Sequence, residues 1–427
     1  MKKMLKSKIS SGAFDNELKR VYVTDSAVVE QRERYIALAE LFAKEYGESD
    51  SLSFYSAPGR TEVCGNHTDH NNGKVLAAAV NLDAVAVCAK KEGNITRVKS
   101  VGYDMDTVDI SDLSVHPEGF GTSQELIRGM YAGFAERGYN IGAFDAYTTS
   151  SVLSGSGLSS SAAFEVLIGT VLNYMFNDGK ISAVEIAQIA QFSENKYFDK
   201  PCGLMDQMAS SVGGFVEIDF KDTKEPVITK LDFDFASCGH SLCIVNTGGS
   251  HADLTPEYGA VRTEMESAAA VFGKKVLREV CPEDFYGKVA EVREKAGDRA
   301  VLRAMHFFAD NARVDFEADA LSKGDFESFK AGVIESGRSS YMYNQNVYPS
   351  SAPQDQPLSI GLCIAERLLK GKGAWRVHGG GFAGTMQAFV PNEILDEYIT
   401  EMKKVFGEKS CYVLSIRPCG GVKVLGE

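Results

Sequence analysis

An α+β fold in two domains is the organisation this sequence predicts, and three observations predict it. Its 427 residues exceed what one ordinary hydrophobic core accommodates. Strand-like and helix-like stretches follow one another without the strict alternation of a doubly wound sheet. Between residues 220 and 231 a cluster of charges and Pro226 interrupts the apolar pattern, which divides the chain into expected units 1–225 and 226–427.

The elements follow in order. Residues 30–46 carry Tyr35, Leu38, Ala39, Leu41 and Phe42 on one side of an amphipathic helix. Residues 53–57 and 81–89 predict strands. In the second, Leu82, Ala84, Ala86 and Cys88 alternate with Val85 and Val87, the near-continuous apolar run of a strand buried on both faces. Thr122 and Glu125 have capping-box spacing and open a helix ending near residue 137. Residues 143–149 read as a strand and 162–176 as a helix. A second capping box, Ser182 with Glu185, opens a helix ending near residue 197. Strands are expected over 214–220, 241–247, 375–378, 386–390 and 411–416. Helices are expected over 258–272, 300–309, 325–336, 358–370 and 393–406.

Composition narrows the function. A hydrophobic content of 44% is that of a globular chain. The net charge of −13 argues against nucleic-acid or anionic-membrane partners. Nine widely spaced cysteines without a C-x-x-C pair read as reduced thiols, as in the cytoplasm. No run of eighteen apolar residues is present to span a membrane, and the basic start lacks the apolar stretch of a signal peptide.

The run Gly155-Ser156-Gly157-Leu158-Ser159-Ser160-Ser161-Ala162-Ala163 joins the strand at 143–149 to the helix at 162–176. Its glycines allow a tight turn and close approach of a ligand. Its serines stand at a helix N-terminus, where free N–H groups and the macrodipole favour an anion. The loop lacks the lysine of a Walker A motif, and Ser160 stands where a dinucleotide fingerprint has its third glycine.

Two more segments join this loop: Ala57-Pro58-Gly59-Arg60-Thr61-Glu62-Val63-Cys64-Gly65-Asn66-His67-Thr68-Asp69-His70-Asn71 and Gly379-Gly380-Gly381-Phe382-Ala383-Gly384-Thr385. Together the three resemble, in order, the motifs of the GHMP small-molecule kinases. The first resembles the galactokinase signature Gly-Arg-x-Asn-x-x-Gly-Glu-His-Thr-Asp-Tyr-Asn. Pro201-Cys202-Gly203-Leu204-Met205-Asp206-Gln207 and the stretch from Asn246-Thr247 to Glu257-Tyr258 are also similar to galactokinases.

The resemblance implies an N-terminal domain of the ribosomal-S5-like type, a C-terminal ferredoxin-like domain and a site in the cleft between them. It implies ATP and Mg²⁺, with Gly155, Gly157, Leu158, Ser159, Ser160, Ser161 and Ala162 around the phosphates. Asp206 would act at the reacting hydroxyl with Arg60 as its partner. Glu194 and one serine of the loop, Ser160 being the expected one, would ligate the metal. His67, Asp69, Gly203 and Tyr258 match positions that bond a hexose. His67 and His70 lack a third ligand at metal spacing, and His378 reads as a strand-end residue. Glycines 379–381 are expected to pack against the phosphate loop.

Asn66 departs from the signature, which has Glu there, near the C6 end of the sugar. Thr61-Glu62 also replaces Val-Asn, and His70 replaces Tyr. Asn66 is therefore expected to contact the sugar and to relax specificity at C6, since Asn removes the charge and adds a donor. The expected activity is an ATP-dependent 1-kinase for galactose or a near relative, from a monomer or weak homo-oligomer. The alternatives are a GHMP kinase for galacturonate, N-acetylgalactosamine or a non-sugar alcohol, and a non-catalytic galactose and ATP sensor. His67-Thr68-Asp69 speaks against a non-sugar substrate, and the complete serine loop with Asp206 and Arg60 speaks against a sensor.

Overall fold

The computed structural model of the chain describes residues 2–49, 51–152, 157–200, 202–249 and 254–426. Three helices come first: α1 (Lys2–Ser10), α2 (Asp15–Tyr22) and α3 (Asp25–Tyr46). Two long strands follow, β1 (Ser53–Cys64) and β2 (Lys74–Lys90), then the hairpin β3 (Ile95–Ser100) and β4 (Met105–Asp109). Helix α4 (Ser123–Glu136) precedes β5 (Phe144–Ser150). Helices α5 (Ser160–Phe176), α6 (Ala183–Lys196) and α7 (Met205–Val212) lead to β6 (Phe215–Asp219), β7 (Val227–Leu231) and β8 (His240–Asn246). The second half runs through α8 (Thr255–Ala270), α9 (Pro282–Gly287), α10 (Val289–Ala296), α11 (Asp298–Ser322), α12 (Phe326–Ser339) and α13 (Pro357–Leu369). It closes with β9 (Ala374–Val377), β10 (Thr385–Pro391), α14 (Leu395–Phe406), β11 (Cys411–Leu414) and β12 (Val422–Leu425).

The strands form two sheets. The larger has the order β12-β1-β2-β5-β3-β4, with β6 bridging β2 and β7; the smaller has the order β11-β8-β10-β9. This corrects the boundary expected at residue 225. The charged stretch 221–225 and Pro226 form the turn of a hairpin, because β6 and β7 pair from Phe215 opposite Leu231 to Asp219 opposite Val227. The last strand, β12, also returns to the first sheet, beside β1.

The alternation read in β2 separates two cores. Ala84, Ala86 and Cys88 face a core shared with α4, α5 and α6, whereas Val85, Val87 and Ala89 face one filled by Tyr35, Leu38 and Phe42 of α3. A buried carboxylate, Asp83, fastens this second layer. It accepts hydrogen bonds from Tyr22 (2.7 Å), Arg34 (2.6 Å), Arg417 (3.1 Å) and Ser56. Burial by itself would raise the pKa of Asp83, but Arg34 and Arg417 outweigh it and hold the carboxyl below its ordinary range.

Both expected caps form, in different ways. Ser182 and Glu185 make the full reciprocal box on α6. Thr122 accepts from the Glu125 N–H, but the Glu125 carboxylate turns to Arg128 at 3.0 Å instead of to the cap.

Candidate active site

Residues Pro58 to Arg60 break the register of β1 against β2. The irregularity sits at Gly59, where a Cβ would lie 2.8 Å from the Leu158 carbonyl, so only glycine lets strand and loop touch. The Arg60 N–H then donates to that carbonyl at 3.0 Å, and its guanidinium also bonds the Gly157 carbonyl. The signature strand is thereby clamped to the phosphate loop.

Arg60 also meets Asp206, on the first turn of α7, through two parallel bonds: Nε to Oδ1 at 2.7 Å and Nη2 to Oδ2 at 2.8 Å. The Ser159 hydroxyl donates to the same Oδ2 at 2.7 Å. Burial raises the pKa of Asp206, yet the charge and hydrogen bonds of Arg60 and the Ser159 bond prevail, and the carboxyl lies below its ordinary range. Ser159 is the N-cap of α5 in a left-handed conformation (φ 59°), and its side chain makes no cap. Its hydroxyl serves Asp206, and a non-glycine residue in this region carries strain of the kind found at functional sites.

Leu158 and Ala162 are fully buried, while Ser160 and Ser161 open the helix. Gly157 (φ 74°) lies so close to His378 and Thr385 that a Cβ would come within 3.1 Å of the His378 ring. Gly155 lies outside the described residues. The serine beside Glu194 is Ser161, whose hydroxyl donates to Oε1 at 3.2 Å, and not Ser160, because one residue further along the helix brings the side chain round to α6. Glu194 is buried, and its Oε2 accepts from Gln207 Nε2 at 2.7 Å.

The donor set around Glu194 suits a hard divalent cation of the Mg²⁺ type: a buried carboxylate, a serine hydroxyl and a second buried carboxyl, Glu165, whose Oε1 has no hydrogen-bond partner. No cluster of three His, Cys, Asp or Glu that could hold a metal occurs among the described residues. Such an ion would take its remaining ligands from phosphates and water.

The residues matched to sugar contacts gather beside this centre. Asp69 begins a short 3-10 turn, and a Cβ on Gly203 would stand 2.5 Å from its Oδ2, so the two segments touch only because residue 203 is glycine. His67 is pushed down to about 4, first by burial and then by His70, and is neutral. Its Nε2 donates to the Gly380 carbonyl at 2.8 Å, which leaves Nδ1 as an acceptor. Tyr258 donates to the Gly381 carbonyl at 2.9 Å. The three glycines pack against Asn66, His67 and Tyr258, and their neighbours His378 and Thr385 lie against Gly157 of the phosphate loop.

Asn66 is also corrected. Its side chain is fully buried and spent within the protein: Nδ2 donates to Glu62 (2.8 Å) and to the Gly379 carbonyl (2.7 Å), and Oδ1 accepts from Asn346 (2.7 Å) and Ser340 (3.3 Å). No polar atom of it is left for a sugar. Glu62, its partner, pairs with Arg376 of β9 at 3.0 Å. His378 follows β9, is buried and neutral, and bonds Thr61 and Thr385.

The site also holds groups that the sequence did not single out. Glu165 is one. The apolar run of α5 surrounds it, and a lone carboxylate in such a run is a signal that was available. Lys200, also on Glu194, carried no such signal, whereas Gln207 on Glu194 closes the 201–207 stretch already noted.

Two family models and several known proteins match this chain. Residues 40–90 match the galactokinase galactose-binding signature and residues 125–214 the N-terminal domain of GHMP kinases. A galactokinase of Actinobacillus pleuropneumoniae serotype 3 (strain JL03) is 32% identical over 371 residues, 86% of this chain and 91% of that protein. One from Streptomyces coelicolor is 29% identical over 91% of this chain and 98% of its own. The Lactococcus lactis galactokinase solved with galactose superposes with a TM-score of 0.76 at 23% identity, covering 91% of this chain and all of that one.

Proposed function

Because this chain belongs to the galactokinase family, we propose that it transfers the γ-phosphoryl group of ATP to the anomeric hydroxyl of galactose, with Asp206 and Arg60 at the reacting hydroxyl. The observation that carries the reading is the bidentate Arg60–Asp206 ion pair, clamped to the phosphate loop by Ser159 and Leu158.

Phosphoryl transfer asks a protein mainly for positioning and charge neutralisation. The N–H groups at the start of α5 receive phosphate oxygens. Arg60 keeps Asp206 ionised and faces the transferring group, and Asp206 accepts the hydrogen bond of the attacking hydroxyl and then its proton. His67 Nδ1 and Asp69 accept from the sugar, beside Gly203 and Tyr258. Asn66 acts behind this wall by holding Glu62 and Gly379 in place. Glu194 and Ser161 would hold Mg²⁺, which supplies charge neutralisation on the phosphates.

The nine free thiols support a reducing, cytoplasmic setting. No helix among the described residues is long and apolar enough to cross a membrane. The net charge of −13 supports a protein without nucleic-acid partners, acting as a monomer or weak homo-oligomer.

The test is ATP consumption against galactose, other hexoses, hexosamines and uronic acids, with galactose the expected best substrate. Asp206→Asn should lower kcat by at least ~10²-fold while calorimetry shows unchanged nucleotide binding. Near-normal turnover in that variant would remove Asp206 from the mechanism.

A further inference from the structure

Lys200 lies between α6 and α7, and its Nζ donates to Glu194 Oε1 at 2.7 Å. The Ser161 hydroxyl converges on the same oxygen. The two partners differ in exposure: the lysine side chain is 58% accessible and the glutamate 2%. An ammonium thus reaches a buried carboxylate from the open side, at the first turn of the helix that receives phosphates. Its charge is also felt at Asp206 and Glu165. It is the counter-charge that the acidic groups behind it, Glu165, Glu194 and Asp206, present to an incoming nucleotide.

We propose that Lys200 is a place-holder cation, neutralising Glu194 until a nucleotide-borne divalent cation arrives and then yielding Oε1 to it. The proposal rests on the reading of Glu194 as the metal ligand. An ammonium and a divalent cation compete for one oxygen, since two positive charges within a few ångströms repel. The exchange leaves the carboxylate where it is, because Oε2 stays with Gln207 Nε2. The lysine leaves at low cost, because its long flexible stem is already half in solvent. Without Lys200, Glu194 would face metal-free nucleotide as a bare anion and would meet the metal-loaded form with no competitor.

Lys200→Met should therefore widen the gap between the two forms. Calorimetry gives the Kd of the non-hydrolysable analogue with a β,γ-imido bridge, once in EDTA and once in saturating Mn²⁺. The ratio of the two constants should rise about tenfold in Lys200→Met, between the small worth of an exposed ion pair and the larger one of a buried pair. Lys200→Arg should keep the parent ratio to within about twofold, since it retains the cation. A Lys200→Met ratio within about twofold of the parent, with an unchanged melting temperature, overturns the place-holder role. Glu194→Gln in the parent separates this from the premise. Collapse of the ratio supports Glu194 as the ligand, and an unchanged ratio defeats both that reading and the proposal.

Discussion

Asn66 and Glu62 form a hydrogen-bonded pair four residues apart, and the galactokinase signature carries the same two residue types in exchanged positions. The carboxylate here sits at 62, against Arg376, and the amide at 66, against Gly379 and Asn346. Asn66→Glu would bring a second carboxylate against the first in a buried site and should cost ~3 kcal/mol. Adding Glu62→Asn should recover a large part, with a coupling of ~1–3 kcal/mol in a denaturation cycle. Additive single effects would show that the two positions are not a unit. Glu317 on α11 is a different case. Its carboxyl is buried with only the Cys64 thiol as a hydrogen-bonding neighbour, and burial raises its pKa well above the ordinary value. At neutral pH the native state therefore keeps a proton that the unfolded chain has already released. Its contribution is fully present below the unfolded carboxyl value and fades as pH rises toward the folded one. Glu317→Gln should gain melting temperature on the parent as pH rises from about 5 to about 8; a constant gap would exclude this titration. At this scale short motifs pointed to Arg60 and Asp206, which the structure pairs, and the family resemblance alone pointed to Glu194, which lies beside Ser161. It hid the partners of Asn66 other than Glu62, which lie 240 or more residues away in the chain.

Helix α6 carries the complete capping box, and it places Glu194 in its last turn. Ser182→Ala should cost ~1 kcal/mol in chemical denaturation without changing nucleotide affinity, because the cap lies at the far end from Glu194. A loss of affinity equal to the loss of stability would mean that α6 shifts as a body. Elements with strong local punctuation were legible: the two helix starts capped by Thr122 and Ser182, and the period-two run in β2. Where local chemistry and tertiary pairing disagree, the sequence misleads. Residues 57–64 contain Pro58 and Gly59, so β1 read as ending at 57; the irregularity at Gly59 absorbs both, and the strand runs on to Cys64. Residues 74–80 are rich in alanine, a poor strand former, yet pairing with both β1 and β6 extends β2 back to Lys74. α1 and α2 have few apolar residues in a lysine-rich stretch, and it is packing on α3 that gives them a reason to form.

Across the whole molecule, the candidate centre is made where the two sheets meet. Arg376 crosses from β9 to Glu62 and Val63 of β1, while His306 and Asp310 of α11 hold the Asn66 backbone. The first sheet is itself closed by the end of the chain. Phe54 stands opposite Leu425, and Val424 and Leu425 are buried with the α3 core. Deleting residues 422–427 would bare one edge of β1 and the apolar side chains beneath it. The truncated protein should lose cooperative melting and aggregate, whereas deleting residue 427 alone should change neither. Cooperative melting at the parent temperature would show β12 to be dispensable. The same closure sets the timetable of synthesis. A ribosome translates the first half of this protein long before it reaches the strand that completes that half's sheet. Domain-by-domain folding in order of translation is therefore closed to this chain. Its amino-terminal half must wait, one edge open, until residues 422–425 have been translated and have emerged to pair with β1.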